Sequence, residues 1–437
     1  MLLRGSDFTD RFSIKAKELW ALVFSFVKWI AIAVIIGVLV GAVGTLFCYG
    51  IEFATKTRQA HEWLIFLLPF AGILIVLLYK GLGMSDDTGT NRVLLAVRSD
   101  EKLSIKTMFL IFVSTILTHL CGGSVGREGA ALQIGGSLSA HIGRTLKLDD
   151  KDKTIITMCG MSAGFAALFG TPIASAVFAM EVVSVGIMHY SALVPCVISA
   201  LVGATVARLS GLMPMSFNVP IIPEITFSSV GKVLLLAALC AFLSIFFCVC
   251  LHKFEELFKK KINNKIVRIV VGGVAIIALT LLIGTQDYNG IGSNIINLAF
   301  TENSRPEAFL LKILFTAITL GAGFKGGEIV PVFFVGATFG NLIAQILGIP
   351  IAFGTAIGMI SVFCGVTNCP LASLFLSVEL FGSKGLIFFG ISVAVSYMLS
   401  GYDGLYSEQK IIYSKLKPQY IDKVIGDWAK KNNNDEP

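Results

Sequence analysis

Two glutamates stand where a carboxylate is expensive. Glu128 lies in Gly126-Arg127-Glu128-Gly129, between the apolar run Met108 to Leu120 and the uncharged stretch Ala130 to Ile142. Glu328 lies in Gly326-Gly327-Glu328 and again opens a long apolar run, from Ile329. An ionisable group at bilayer depth points to function by default. Placed at a helix start, each acid would sit among backbone N–H groups that lack intrahelical partners, where the aligned peptide dipoles favour negative charge. Such helix starts hold an anion without a full positive charge, and glycine beside them lets the amides approach closely.

The elements that position these acids must be membrane helices. Of the 437 residues 55% are hydrophobic and 14% charged, and the mean hydropathy is +0.81. Soluble domains carry about 25% charged residues, so this chain uses lipid as part of its solvent. Apolar runs such as Trp29 to Phe53, Trp63 to Tyr79, Val233 to Leu251 and Ile269 to Gly284 are near or above the roughly 20 residues that span a bilayer. Pro172 to Met180 and Pro370 to Val378 are too short to span. Short, Gly/Pro-interrupted segments at matching places in two halves indicate broken helices around a midplane site.

The halves do match. Glu128 and Glu328 are 200 residues apart, as are Gly136 and Gly336. Pro172 and Glu181 recur as Pro370 and Glu379, each 198 residues on, with the same Pro-to-Glu spacing of 9. We expect residues 1–23 to form a cytoplasmic or interfacial segment, with a short helix over Asp10 to Trp20. A first membrane repeat is expected over 24–210, a linker over 211–228, a second repeat over 229–417 and a cytoplasmic tail over 418–437. The charged lead (Arg4, Asp7, Asp10, Arg11, Lys15, Lys17) is unlike a cleavable signal peptide. Together with Lys259-Lys260-Lys261, Lys265, Arg268 and the Lys-bearing tail it predicts both termini on the cytoplasmic side and an even number of crossings.

The net charge of +7 is what that rule produces, and no nucleic-acid partner is expected. The nine Cys include no CxxC pair; several lie in apolar runs (Cys48, Cys240, Cys248, Cys250), where Cys acts as a small hydrophobe. No metal or cofactor is expected. The five His (His61, His119, His141, His189, His252) are read as structural. An intramembrane enzyme would need a Ser/His or metal constellation, and none is visible.

Gly126-Arg127-Glu128-Gly129 is the signature of the CLC chloride-channel and anion/proton antiporter family, which this chain resembles from about Phe24 to Lys417. Gly326-Gly327-Glu328-Ile329-Val330-Pro331 resembles that family's second anion-site motif. Gly404-Leu405-Tyr406-Ser407 resembles the tyrosine segment that opens its last helix, and Gly83-Met84-Ser85 stands at its first filter. The resemblance implies an all-α polytopic fold, an inverted repeat of tilted and broken helices with about 18 helical segments. It also implies a homodimer with one pathway per subunit. No CBS domains are expected, because the chain ends soon after Tyr406. The implied anion site comprises Met84, Ser85, Gly126, Arg127, Gly129, Gly327, Glu328, Ile329 and Tyr406, with Glu128 as gate and proton carrier. Ionised, Glu128 occupies an anion position; protonated, it releases it.

Departures from the family narrow the reading. Met84 replaces the usual filter serine, Ala130 the proline after Gly-Arg-Glu-Gly, and Glu328 an apolar residue. Val182 occupies the place of the inner glutamate of chloride/proton exchangers. These substitutions resemble the bacterial branch that exchanges fluoride for protons. The resemblance therefore implies a fluoride/proton antiporter of the inner membrane, with fluoride and protons as its transported partners. Glu328 is then a second coupled carboxylate or a donor that shapes the anion site. A chloride/proton exchanger or chloride channel of the same family is the alternative.

Overall fold

The computed structural model describes residues 5–99 and 101–427, and among these sixteen α-helices follow one another. The first eight are α1 (Gly5–Ala60), α2 (Leu68–Gly81), α3 (Thr90–Arg98), α4 (Ile105–Leu120), α5 (Glu128–Thr145), α6 (Asp150–Phe169), α7 (Pro172–Glu181) and α8 (Leu193–Leu209). The second eight are α9 (Phe227–Lys261), α10 (Lys265–Ile283), α11 (Ser293–Leu298), α12 (Ala308–Ala322), α13 (Ile329–Leu347), α14 (Ile351–Thr367), α15 (Pro370–Phe381) and α16 (Leu386–Leu399).

Local chemistry sets their ends. Asp149 accepts from the Asp152 N–H at 2.8 Å to start α6, and Thr226 with Ser229 forms a capping box at α9. Such caps satisfy amides the helix leaves orphaned. Pro172 and Pro370 occupy the first turns of α7 and α15, where a missing N–H costs nothing. Six segments among the described residues are long and apolar enough to cross a bilayer: Lys17–Ala60, Glu62–Gly81, Tyr190–Leu209, Phe227–Lys261, Lys265–Ile283 and Ile329–Leu347. The last of these is largely enclosed by protein (72% buried) and so is an internal helix that carries the site.

The packing repeats with the sequence. Helix α1 crosses α4, α6 and α8, while α4 packs on α5 and α5 on α6. Likewise α9 crosses α12, α14 and α16, while α12 packs on α13 and α13 on α14. Glycines make the tightest of these crossings. A Cβ on Gly160 would stand 2.2 Å from the Gly135 carbonyl oxygen, and one on Gly358 would stand 2.4 Å from that of Gly336. Small residues at such points let helix backbones meet without a hydrophobic driving force. The repeats are inverted. The C-terminal end of α2 (Tyr79) and the N-terminal end of its counterpart α10 (Lys265, Arg268) line one vestibule, so the two helices run in opposite directions.

Two findings depart from expectation. The helix expected over Asp10 to Trp20 is not separate: α1 runs unbroken from Gly5 to Ala60, with no Gly or Pro between Phe8 and Ile36 to interrupt it. Arg4 and residues 428–437 of the expected tail lie outside the described residues. Tyr406 does not open a helix. After α16 the chain turns at Gly401 (φ 61°) and runs as a loop, pinned by Leu405 N–H to the Val366 carbonyl at 2.9 Å. It then enters a small sheet of β1 (Ser184–Val185), β2 (Lys410–Tyr413) and β3 (Tyr420–Val424). Strand β2 pairs parallel with β1 and antiparallel with β3. Backbone groups of Lys410 to Tyr413, rich in β-formers, thus find partners in strands instead of a further helix.

Candidate functional site

The site is built where α5 and α13 begin. Gly126 and Gly327, each just before its helix, pair as an antiparallel bridge: the Gly126 N–H donates to the Gly327 carbonyl at 2.5 Å and the Gly327 N–H to the Gly126 carbonyl at 2.8 Å. Only glycine fits here. A Cβ on Gly327 would lie 2.5 Å from the Gly129 nitrogen and 3.0 Å from that of Glu128. The two helix starts are therefore locked together amide against amide.

Glu128 is fully buried in this junction. Its Oε2 accepts from the Arg127 N–H at 3.0 Å and lies beside Gly126, whose backbone pairs with Gly327 just before α13. A carboxylate of the first repeat thus stands where the starts of both helices meet, the position an anion would take. Arg127 Nε lies 3.5 Å from Oε1, an ion pair without hydrogen-bond geometry, and Oε1 has no hydrogen-bond partner.

Glu328 occupies the N-cap position of α13 without a side-chain capping bond and sits across the junction, its Oε2 beside Gly129. That oxygen also lacks a partner. Tyr406 is buried, its Oη is unpartnered, and the phenol lies within electrostatic reach of both Glu328 and Glu128. Three polar atoms without partners around one point are unusual, because buried polar groups are normally satisfied.

A vestibule of about 680 Å³ opens on this point. Glu328, Tyr406, Ser85, Thr90, Gln133 and Lys325 are among its lining residues, and Glu128 is not. Glu328 therefore faces the vestibule while Glu128 is sealed behind the junction. Ser85 is exposed at the vestibule wall, with its carbonyl taking the Lys265 ammonium at 2.7 Å. Met84 is buried and packs into the apolar core, and only its backbone neighbours reach the wall. Ile329 and Gly129 lie in the first turns and contribute backbone. Arg127 turns toward α1, near Cys48 and Glu52.

The place of the inner glutamate, Val182, is buried with its carbonyl held by Gln409 Nε2 at 3.0 Å. Glu181 beside it is engaged elsewhere: its oxygens accept the N–H groups of Leu371 (3.1 Å) and Ala372 (2.8 Å).

Sequence reasoning missed Thr90, whose Oγ1 lies against Gly129 and accepts from Gln133 Nε2 at 3.2 Å.

An inverted-repeat membrane protein with a carboxylate on paired helix starts is an ion-transport protein by class. The family model described as "Voltage gated chloride channel" matches residues 71–401. A "Chloride/fluoride channel protein" of Pseudomonas syringae pv. tomato is 34% identical over 395 residues, covering 89% of this chain and 87% of that protein. A solved structure titled "Crystal structure of a CLC-type fluoride/proton antiporter" superposes with TM-score 0.86 at 34% identity, covering 89% of this chain and 99% of that one. A slow cyanobacterial Cl⁻/H⁺ antiporter shares the fold, with TM-score 0.74 at 16% identity over 93% of this chain and 98% of its own. The chain belongs to the CLC, or voltage-gated chloride channel, family.

Proposed function

We propose that this chain exchanges fluoride for protons across a bacterial inner membrane, with Glu128 as gate and proton carrier. One observation carries the reading: the Glu128 carboxylate is fully buried where the starts of α5 and α13 are bridged through Gly126 and Gly327, with its Oε2 accepting the Arg127 N–H at 3.0 Å. Ionised, it competes with an anion for the helix-start amides; protonated, it is neutral and yields the position. One proton is then taken up for each opening, which couples the two fluxes.

Fluoride is small, hard and strongly hydrated, so its site replaces water with close donors. The orphan phenol of Tyr406 and the helix-start amides of Gly129 and Ile329 are such donors, while the amides of Gly126 and Gly327 are spent on each other and hold the two helix starts together. Ser85 stands on the approach, Met84 fills space without a donor, and Arg127 supplies positive charge. Glu328 faces the vestibule as a second carboxylate able to take a proton. Lys259, Lys265 and Arg268 at the vestibule mouth favour the cytoplasmic side for that opening, with both termini there. A homodimer with one pathway per chain follows from family membership.

The alternative is chloride transport, which the description of the family model favours. Flux from liposomes loaded with fluoride or chloride decides. Fluoride efflux is expected to exceed chloride efflux and to drive proton uptake; chloride flux at least as fast contradicts the reading.

A further inference from the structure

The phenol of Tyr406 makes no hydrogen bond within the protein, so its direction depends on the backbone that carries it. That backbone is a loop between α16 and β2, without the ladder of bonds a helix would supply. Two groups of the loop are tied. The Leu405 N–H donates to the Val366 carbonyl, and the Tyr406 carbonyl accepts the Gln409 N–H at 3.0 Å.

Gln409 is fully buried, and each of its polar groups is engaged. Its Nε2 donates to the Thr367 carbonyl at 2.8 Å and to the Val182 carbonyl at 3.0 Å. Its Oε1 accepts from Asn368 Nδ2 at 3.2 Å, and its own carbonyl accepts the Ile425 N–H at 3.0 Å. Val182 follows α7 in the first repeat, and Thr367 ends α14 in the second. One amide therefore fixes the loop to both repeats, three residues from the phenol. A carboxamide nitrogen carries two donors, and both meet carbonyls here. A carboxylate in its place would face two carbonyl oxygens with nothing to donate.

Asn368 holds the amide in that orientation. It stands at the C-cap of α14 with φ 57°, a left-handed conformation that asparagine tolerates better than most residues. Its Nδ2 donates to the Asp403 carbonyl at 3.0 Å as well as to Gln409, and its Oδ1 accepts from Lys415 Nζ. The loop passes so close that a Cβ on Gly404 would stand 2.7 Å from that Nδ2. Bonds from the loop on both sides of Tyr406, at Asp403 and at Gln409, thus converge on Asn368.

We infer that Gln409 is a positioning residue for anion binding: seated on Val182 and Thr367 and oriented by Asn368, it aims the Tyr406 phenol at the space that Glu128 and Glu328 border. It touches no ion itself. A buried polar network with every member satisfied specifies one arrangement, and the phenol depends on that because its own oxygen has no partner in the protein.

The inference rests on the reading of Tyr406 as a fluoride donor, and a double-mutant cycle separates the two. Sodium fluoride is titrated calorimetrically into the full purified chain carrying Gln409→Met, Tyr406→Phe or both, and the thermal midpoint of each is measured. Gln409→Met keeps the length of the side chain and removes its bonds. Alone it is expected to weaken fluoride binding by roughly tenfold, the worth of the one O–H donor it misdirects. Added to Tyr406→Phe it is expected to cost no further affinity, while it lowers the midpoint equally in both backgrounds. Residues that act through one another are non-additive in this way. Should Gln409→Met fail to fold, Asn368→Gly, which keeps the left-handed turn and removes both donations, enters the same cycle with the same expectation. Full affinity in the folded variant, or an equal loss with and without the phenol, overturns the positioning role and leaves the fluoride reading standing. A Tyr406→Phe chain that binds fluoride as tightly as wild type overturns the donor reading and the inference together.

Discussion

Glu181 and Glu379 each cap the helix that carries the other. Glu379, in the last turn of α15, accepts the N–H groups of Ile173 (3.0 Å) and Ala174 (2.9 Å) at the start of α7. Glu181, ending α7, returns the same pair of bonds to Leu371 and Ala372 of α15. Two short helices that cannot span a bilayer are joined head to tail by four charge-assisted bonds, two per repeat. The arrangement satisfies four orphan amides inside the membrane, where no water can.

Removing either carboxylate is expected to destabilise the fold. Glu181→Ala or Glu379→Ala leaves two buried N–H groups without acceptors, a cost of about 2–3 kcal/mol. Thermal unfolding of the purified protein reads this as a lowered midpoint. Glu181→Gln, which still accepts one N–H, is expected to lose less and to keep its proton coupling, because Glu181 serves the fold. A midpoint unchanged by both alanine variants contradicts the capping account.

Tyr406→Phe is expected to behave in the opposite way. Its Oη makes no bond within the protein, so deleting it removes no folded-state partner and stability stays within about 0.5 kcal/mol. Fluoride affinity, measured by titration calorimetry, is expected to fall by roughly tenfold with the lost O–H donor. Unaltered affinity assigns the phenol to packing alone.

Gly327→Ala is expected to break the junction. Its methyl group would meet the Gly129 nitrogen at 2.5 Å, and backbone on both sides leaves it nowhere to go. Overpacking of this kind costs about 1–3 kcal/mol, and the displaced helix starts lose their alignment on Glu128. Anion flux in liposomes is expected to drop far more than the amount of folded protein.

Much of this architecture was legible in the chain. Glu128 and Glu328 stand out because a charge beside glycine in an apolar run has few structural explanations. Pro172 and Pro370, each followed nine residues later by Glu, marked the repeat. The reciprocal caps were not legible, since Glu181 and Ala372 are 191 residues apart and only the inverted packing brings them together. The tyrosine segment suggested a last helix, yet Lys410 to Tyr413 found strand partners in residues 184–185, which no local pattern announces.

Glu328→Gln separates the two carboxylates. It keeps the size and one acceptor but cannot carry a proton. Fluoride flux is expected to persist with proton movement per fluoride reduced, if the vestibule acid relays protons to Glu128. Equal coupling in the variant leaves Glu328 as a shaping residue only.

The most direct measurement is proton movement by Glu128→Gln in liposomes under an imposed fluoride gradient. Wild-type protein is expected to drive protons uphill as fluoride runs down. The variant, neutral at all pH and unable to release a proton, is expected to move none, whatever fluoride flux remains. Sustained uphill proton movement in Glu128→Gln contradicts the account.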